Sequence, residues 1–351
     1  MITTVIPTYR RPRLLARALR SVLAQTHGDF RVIVYDNASG DQTSAVVAGF
    51  AARDPRVRYV AQPRNLGALE NFNLALSRID SEYFSLLSDD DVLLPYFYEQ
   101  ALAGFAAHPN AIFVASPVML VDERGRVLTV NNNKWVPGLH PGPAAMLAMA
   151  QHEHFIWTGT LFRREALAQG TLDVETGMCS DLDLLLRIAG RHPIAVAQRP
   201  GAVFFVHPGS PSSYPRLSLY WPSWTRIIAN AGRDPLVSPA IQAAVQQGLE
   251  RRLTRLLLLV SIFSSSRGLF EEARQAAAAL RSRDVRPAAA AALGPVAFAC
   301  ERVPGVRALL AALIGWWRWR RGPVGREQQI LDRYPSLLAL PEGLERKDAA
   351  A

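Results

Sequence analysis

Cysteine is nearly absent. Cys179 and Cys300 are the only two in 351 residues. Two thiols cannot build a disulfide framework, and this pair has no zinc-ligand spacing, so a reducing compartment is expected. Lysine is just as rare. Of 39 basic side chains only Lys134 and Lys347 are lysines; the rest are arginines. Long apolar runs are missing, and none reaches the roughly 18 to 20 residues that a membrane span needs. Met1 leads straight into Ile2-Thr3-Thr4-Val5-Ile6 rather than into a charged leader followed by an apolar segment. That opening predicts no signal peptide and a cytoplasmic location. Glycine-rich phosphate loops are missing too. There is no G-x-G-x-x-G after the first expected strand and no G-x-x-x-x-G-K-S/T anywhere. A dinucleotide fingerprint and a P-loop are therefore unsupported. The phosphates of any bound nucleotide have to be neutralised by a metal ion instead.

What the chain does have is the material for a core. Hydrophobic residues make up 49%, which argues against global disorder. The net charge of +9 is unevenly placed. Residues 1–238 carry 22 basic and 20 acidic side chains, whereas residues 239–351 carry 17 and 10. The positive field belongs mainly to the last third. It suits an anionic membrane surface, nucleic acid or an acidic partner.

Strands are predicted over 2–6, 30–35, 57–61 and 83–87, each followed by a polar turn and then a helical pattern. Leu14, Leu15, Ala18, Leu19, Val22 and Leu23 recur at helical spacing behind Pro12, a good first residue for a helix. Asp41 is the expected N-cap of the second helix. A third helix is expected over 68–79. Four such units imply an α/β fold with a mostly parallel sheet covered on both faces. Right-handed crossovers bring the post-strand turns to one edge. Thr8-Tyr9, Asp36-Asn37, Asn65 to Gly67 and Asp89-Asp90-Asp91 should therefore converge. The last group is the most informative. Three adjacent carboxylates repel one another, and the usual reason to hold them together is a hard cation such as Mg²⁺ or Mn²⁺. Open α/β sheets also bind ligands beyond the carboxyl ends of their strands. The plainer alternative is a solvated acidic loop or helix start.

Val5-Ile6-Pro7-Thr8-Tyr9, Ser21 to Thr26, Val34-Tyr35-Asp36-Asn37-Ala38-Ser39-Gly40-Asp41, Arg64-Asn65-Leu66-Gly67 and Leu87-Ser88-Asp89-Asp90-Asp91 occur in that order. Together they resemble the family 2 glycosyltransferases of GT-A fold, over about residues 1–210. The resemblance implies a nucleotide-sugar donor, a divalent metal (Mn²⁺ or Mg²⁺) and transfer with inversion. It implies a nucleotide-sugar site made of Pro7, Thr8, Tyr9, Arg10, Asp36, Asn37, Asn65, Gly67, Asn71, Ser88, Asp89 and Asp90. In it Pro7 and the Tyr9 ring line the base pocket, Asp36 accepts from the base and Asp89 contacts the ribose. Asp90 ligates the metal. Arg10 stands where the family commonly has Asn, and Ser88 stands where the acidic motif often begins with Asp.

Residues 111–121 are expected to form a strand, 122–126 a hairpin turn and 131–142 a loop. His152, Glu153 and His154 lack the H-E-x-x-H spacing of a helical zinc site and are read as ordinary polar surface. Trp157, Thr158 and Gly159 precede a strand and a basic turn. By resemblance they lie beside the acceptor, with a core tryptophan as the alternative for Trp157. Leu182, Leu185, Leu186 and Ala189 predict a helix with Asp181 in its first turn. The family's matching aspartate is the catalytic base, although Ser180 replaces the commoner acid before it. Asp183, two residues on, points elsewhere on that helix. His207 follows a strand over 203–206; by resemblance it joins Asp90 at the metal or contacts the diphosphate, and a structural histidine is the alternative.

Residues 1–215 are thus expected to form the GT-A catalytic domain, with nucleotide-sugar binding over about 1–110 and acceptor binding over about 111–215. Residues 216–351 are expected to be a mainly helical, basic region. Helices are predicted over 239–266, 269–283 and 288–292, and Leu309 to Trp317 runs into Arg318-Trp319-Arg320-Arg321. Tryptophan beside arginine suits an anionic membrane surface, so a peripheral place on the inner face of a membrane is one expectation. A helix packed on the catalytic domain is the other, and no nucleic acid is expected. The expected partners are a UDP- or dTDP-sugar and a glycan or lipid-linked acceptor. The rival readings are a nucleotidyltransferase, for which Arg10-Arg11-Pro12-Arg13 is a poor signature loop, and a non-catalytic sugar- or lipid-binding protein on the same scaffold.

Overall fold

The computed structural model describes residues 1–131, 135–207, 217–282, 287–320 and 325–340, without the side chains of residues 219, 287–290 and 315–320. Strands β1 (Ile2–Thr8), β2 (Phe30–Asp36), β3 (Val57–Ala61) and β4 (Tyr83–Leu86) follow the four predicted runs. They pair in parallel in the order β3-β2-β1-β4. Helices α1 (Pro12–Leu23), α2 (Thr43–Ala51) and α3 (Ala68–Ser77) connect them. β1, β2 and β4 are buried almost throughout, with side chains alternating between two apolar layers, whereas the edge strand β3 is largely exposed. Val32 and Val34 join Leu15, Leu19 and Val47 on one side. Ile33 and Tyr35 join Phe72 and Leu76 on the other. Asp41 sits one residue outside the expected cap position; it accepts from the Thr43 amide at 2.9 Å while Gln42 is the cap residue.

Beyond the acids come β5 (Val92–Leu93) and α4 (Phe97–Ala107). The predicted strand over 111–121 is two strands, β6 (Phe113–Ala115) and β7 (Val118–Asp122), which belong to different sheets. Pro117 lies at the break, where a residue without an N–H cannot carry a ladder onward. β8 (Val127–Asn131) returns antiparallel to β7 across the expected hairpin turn. The expected loop over 131–142 is corrected in part. β9 (Gly138–His140) pairs with β11 (Ile194–Val196) at the sheet edge, while residues 132–134 lie outside the described residues. A three-residue edge strand is held by main-chain pairing and leaves little trace in apolar pattern.

α5 (Gly142–Gln151), β10 (Thr160–Arg163), α6 (Ser180–Ala189) and β12 (Ala202–Val206) complete this part. β10 runs antiparallel between β4 and β6, giving the eight-stranded order β3-β2-β1-β4-β10-β6-β11-β9. The second sheet has the order β5-β12-β7-β8. β5 directly follows the acids and pairs with β12, so the chain end that delivers His207 is tied beside them.

The rest of the described chain is helical: α7 (Leu217–Ala231), α8 (Pro239–Arg267), α9 (Phe270–Arg281), α10 (Pro287–Arg302), α11 (Val306–Arg320), α12 (Gly325–Leu331) and α13 (Pro335–Leu338). α8 is no appendage. Its Val245, Leu249, Leu253, Leu257 and Val260 share one buried cluster with Phe84, Phe113, Phe162 and Leu185. Leu331 and Leu337 pack on the second sheet with Met119, Val203 and Phe205. If α8 and the sheet share a core, Leu253→Ala should cost about 2–5 kcal/mol by leaving a cavity. Urea unfolding followed by circular dichroism and by tryptophan fluorescence should then show one coincident, shifted transition. A separate early helical transition would contradict the shared core.

Candidate active site

The turns after the first four strands do converge. Thr8 ends β1, and its hydroxyl donates to Asp89 Oδ2 at 2.7 Å. Pro7 is buried behind it and Tyr9 is half-buried. The Arg10 amide donates to Ser39 Oγ at 2.8 Å, and Arg10 Nε donates to the Ser39 carbonyl at 3.1 Å. The Arg10 guanidinium lies 5.1 Å from the centre of the Tyr9 ring. Asp36 Oδ1 accepts from the Ser39 amide at 3.0 Å, and Asp36 Oδ2 accepts from the Tyr59 hydroxyl at 2.5 Å. Arg10 (φ 55°) and Ala38 (φ 61°) both occupy the left-handed region without being glycine. Such strain costs on the order of 1–3 kcal/mol and persists only where surrounding bonds hold it. Here the two strained turns hold each other through Ser39.

The next turn is joined in the same way. Asn37 Nδ2 donates to Asn65 Oδ1 at 2.8 Å, and Asn37 Oδ1 accepts from the Leu66 amide at 2.8 Å. Gly67 (φ 88°) takes a backbone conformation that suits glycine, and its amide also donates to Asn65 Oδ1. Asn71 is buried under this turn and donates to the Tyr35 carbonyl at 2.9 Å.

Each acid after β4 has its own restraint. Asp89 takes Thr8 on one oxygen and Arg11 NH1 at 3.3 Å on the other. Asp90 Oδ2 meets Arg11 NH1 at 3.2 Å and His207 Nε2 at 3.1 Å. The Asp90 carbonyl accepts from Arg17 NH2 at 2.6 Å. Asp91 is fully buried; it accepts from the Thr158 hydroxyl at 2.7 Å and from the Phe205 amide at 3.2 Å. Burial pushes the Asp89 carboxyl up to about 6 against the pull of Arg11. Burial also pushes on Asp90, but the His207 hydrogen bond and the Arg11 charge outweigh it and hold Asp90 below the usual range. Burial and the neighbouring Asp90 raise Asp91 well above that range. Burial lowers Arg17 to about 10, with Asp91 and Asp90 opposing, so it stays charged at neutral pH; it lies 3.6 Å over the Phe205 ring.

Trp157 is half-buried, 4.6 Å from Phe72 between ring centres, and its Nε1 donates to Ser88 Oγ at 3.3 Å. Thr158 and Gly159 are buried. Thr158 is engaged with Asp91, and a Cβ on Gly159 would meet Val118 at 2.6 Å.

The second acidic site lies at the start of α6. Asp181 Oδ1 accepts from the Leu182 amide at 2.7 Å. Its side chain is 22% exposed, and His154 Nε2 lies 3.8 Å from its Oδ2. Burial raises the Asp181 carboxyl to about 6. Asp183 does point elsewhere: it is buried and accepts from Arg187 Nε at 2.9 Å and from Asn230 Nδ2 at 2.9 Å.

Several of these residues escape sequence reasoning. Arg11 and Tyr59 belong to no matched motif. His154 is tested only for metal spacing, whereas the structure places it beside Asp181. Arg252, which bonds His154, lies in α8 with no local signal. Among the described residues no group of three His, Cys, Asp or Glu side chains could hold a metal ion unaided. Residues 208–210 after His207 lie outside the described residues.

A largely parallel sheet carrying carboxylates at its carboxyl edge, extended by β10 and a second small sheet, defines the GT-A fold. Residues 3–171, just under half of the chain, match the family model for glycosyl transferase family 2. The fold is similar to the crystal structure of S. aureus TarS 1-349, at 14% identity over 90% of this chain and 91% of that one, with a TM-score of 0.59. TarS 1-349 in complex with UDP-GlcNAc matches equally well. The mannosyltransferase PcManGT from Pyrobaculum calidifontis, in complex with GDP-Man and Mn²⁺, is 19% identical over 92% of this chain and 88% of that one, with a TM-score of 0.51. Among curated proteins, the GalNAc(5)-diNAcBac-PP-undecaprenol beta-1,3-glucosyltransferase of Campylobacter jejuni is 34% identical over 94 residues, covering 26% of this chain and 30% of that protein. An uncharacterized glycosyltransferase of Methanocaldococcus jannaschii is 27% identical over 130 residues, covering 36% of this chain and 45% of that protein. The chain spans less than half the length of these curated relatives.

Asp91 braces the site in this geometry, and its raised carboxyl makes asparagine a near-isostere. Asp91→Ala strands the Thr158 hydroxyl and the Phe205 amide and should cost about 2–4 kcal/mol. Asp91→Asn should cost less than about 1 kcal/mol. Equal losses in denaturant unfolding at pH 7 would show that the carboxyl acts through its charge rather than through these two bonds.

Proposed function

We propose that the chain transfers a sugar from a nucleoside diphosphate sugar to an acceptor hydroxyl, with inversion at the anomeric carbon. The observation that carries this reading is the cluster of Asp89, Asp90, Arg11 and His207 at the carboxyl edge of the sheet, with Arg11, Asp89 and Asp90 inside the family 2 match over residues 3–171 and His207 beyond it. The donor is a UDP- or dTDP-sugar. Its base lies against Tyr9, in a pocket formed by Pro7, Arg10, Asp36, Asn37, Asn65, Gly67 and Asn71. Asp36 reaches the base while Tyr59 and Ser39 hold its carboxylate in place. Asp89 and Ser88 take the ribose side, with Thr8 fixing Asp89.

The donor set fits a divalent cation. Asp90 Oδ2 and His207 Nε2 lie 3.1 Å apart and offer one carboxylate oxygen, which suits Mn²⁺ or Mg²⁺, and one imidazole nitrogen, which is acceptable to Mn²⁺. Asp90 and His207 would hold the cation beside the donor diphosphate. When bound, the cation supplies Lewis-acid neutralisation of the departing diphosphate. Asp181 takes the proton of the acceptor hydroxyl. The acceptor oxygen bonds the anomeric carbon from the face opposite the diphosphate, and the diphosphate leaves with the bonding electrons of the broken C–O bond. Trp157 presents its half-buried ring to the acceptor sugar, with Thr158 and Gly159 fixing it from behind.

The acceptor is a glycan or lipid-linked glycan of the cell envelope, in line with the undecaprenol-linked substrate that names the Campylobacter relative. No described helix is long and apolar enough to cross a membrane. Phe298, Leu309 and Leu313 are exposed by 63%, 62% and 52%, in helices with no acid in their first turns. They support a peripheral contact with an anionic membrane surface. Trp316 to Arg320, which prompted that expectation, have no described side chains, and Arg321 lies outside the described residues. Phe298→Asp with Leu309→Asp should abolish co-sedimentation with phosphatidylglycerol vesicles, and unchanged binding would remove this contact.

Release of nucleoside diphosphate from a panel of UDP-, dTDP- and GDP-sugars tests the activity. Mn²⁺ or Mg²⁺ should support release from one donor, and EDTA or Asp90→Ala should abolish it. Asp181→Asn should lower turnover about 10²- to 10⁴-fold with donor binding kept. Asp181 works as a base only when ionised, so kcat/KM should rise tenfold per pH unit below about 6 and level off above. No metal-dependent release or nucleotide binding with any donor would favour a non-catalytic scaffold.

A further inference from the structure

Helix α5 ends at Gln151, and the chain turns toward β10 through His152, Glu153 and His154. Helix α8 crosses this end at close range. A Cβ on Gly248 would lie 3.1 Å from the Ala150 backbone, so glycine permits the approach. One turn further along α8 comes Arg252. Its NH1 donates to the Met149 carbonyl at 2.6 Å, one of the last-turn carbonyls that α5 leaves without a helical partner. Its NH2 donates to His154 Nδ1 at 3.0 Å. A guanidinium has donors and no acceptor, so Nδ1 must accept and the ring proton sits on Nε2. Nε2 is the atom that faces Asp181 Oδ2 at 3.8 Å. The other end of the arrangement is fixed as well. Asn131 Nδ2 donates to the His154 carbonyl at 3.1 Å, and the Arg252 guanidinium lies 5.2 Å from the centre of the Trp224 ring.

We propose that Arg252 and His154 form a positioning chain for Asp181, so that the C-terminal helix α8 completes the base site. This inference rests on the reading of Asp181 as the base. Arg252 sets the tautomer. His154 then presents a neutral N–H to Oδ2 while the Leu182 amide holds Oδ1, and the free lone pair of Oδ2 is aimed at the acceptor proton. Contacts of this kind tighten when substrate binds. The imidazole also spaces a permanent positive charge from the carboxylate. A guanidinium paired directly with Asp181 would depress its pKa and its basicity, whereas a neutral donor orients it at a smaller loss. Burial and then the Arg252 charge lower the His154 pKa to about 3, so the ring stays neutral. The other titratable or charged groups around the pair are Cys179, Tyr220, Glu153 and Arg255. Burial pushes the Cys179 thiol up and Tyr220 up to about 12, so neither titrates with Asp181.

Two measurements on the full chain test the chain of contacts. The first needs no substrate. In ¹⁵N-histidine-labelled protein, the His154 ring should stay neutral with its proton on Nε2 from pH 8 to 5, its signals assigned by their loss in His154→Gln. In Arg252→Leu it should titrate nearer the ordinary value of about 6.5. A ring that titrates there in the wild type, or carries its proton on Nδ1, overturns the proposal even if Arg252→Leu does not fold. The second measurement is nucleoside diphosphate release from UDP-GlcNAc or the donor that the panel selects. His154→Phe should lower kcat about 10- to 100-fold with donor KM within about twofold, and should shift the acid limb to higher pH. His154→Gln, which keeps an N–H near the Nε2 position, should restore most of the loss. Equal losses in both variants, or no loss in His154→Phe, would reduce His154 to a packing residue. Full turnover in Asp181→Asn would instead sink the base reading and leave the tautomer result standing.

Discussion

Three adjacent carboxylates stay together at the end of β4 because each is restrained from a different direction. Asp89 is tied back to β1 through Thr8, Asp90 reaches Arg11 and His207, and Asp91 is locked under Thr158 and Phe205. Arg17 sits behind them, charged, on the Phe205 ring. Even with these partners, burial and the neighbouring charge raise Asp89 and Asp91, and Asp90 alone is held below the usual range. Two of these bonds also position neighbouring residues of the site. Asp91 brings the end of β12, and so His207, next to Asp90. Thr158 carries Trp157 alongside Ser88. The third acid is a brace rather than a ligand.

The N-terminal half was legible because its physics is local. Strands of the parallel sheet are rich in β-branched and aromatic residues, helices show their period, and each strand ends in a polar turn. Asp181 and His207 were singled out by resemblance alone, whereas the turns that carry Asp36, Asp89 and Asp90 were legible because each sits at the end of a predicted strand. Their convergence follows from crossover handedness, and the bonds Arg10–Ser39, Asn37–Asn65 and Thr8–Asp89 are its physical form. The resemblance to family 2 glycosyltransferases rested on those stretches, and the family match over residues 3–171 supports it.

What was not legible depends on distant partners. Pro117 splits one apolar run between two sheets, and β9 forms by main-chain pairing at an edge. Tyr59 reads as an ordinary strand residue until Asp36 is seen beneath its hydroxyl. His154 and Arg252 are separated by 98 positions, and only the packing of α8 on α5 makes them neighbours. The sequence divides into a catalytic part and a basic helical part by composition. The buried cluster runs through both, because α8 packs on α5 and its Leu249, Leu253 and Leu257 join the cluster that contains Phe84, Phe113 and Phe162.

Asp90 and His207 are proposed to hold a divalent cation against a donor diphosphate at the carboxyl edge of this sheet. Manganese-edge anomalous diffraction from crystals grown with Mn²⁺ and a nucleoside diphosphate tests this. One strong anomalous peak bonded to Asp90 and His207 is expected, with the base stacked on Tyr9 and the diphosphate between them. A peak elsewhere, or a nucleotide bound away from Tyr9 and Asp36 with Asp90 still paired to Arg11, would contradict it.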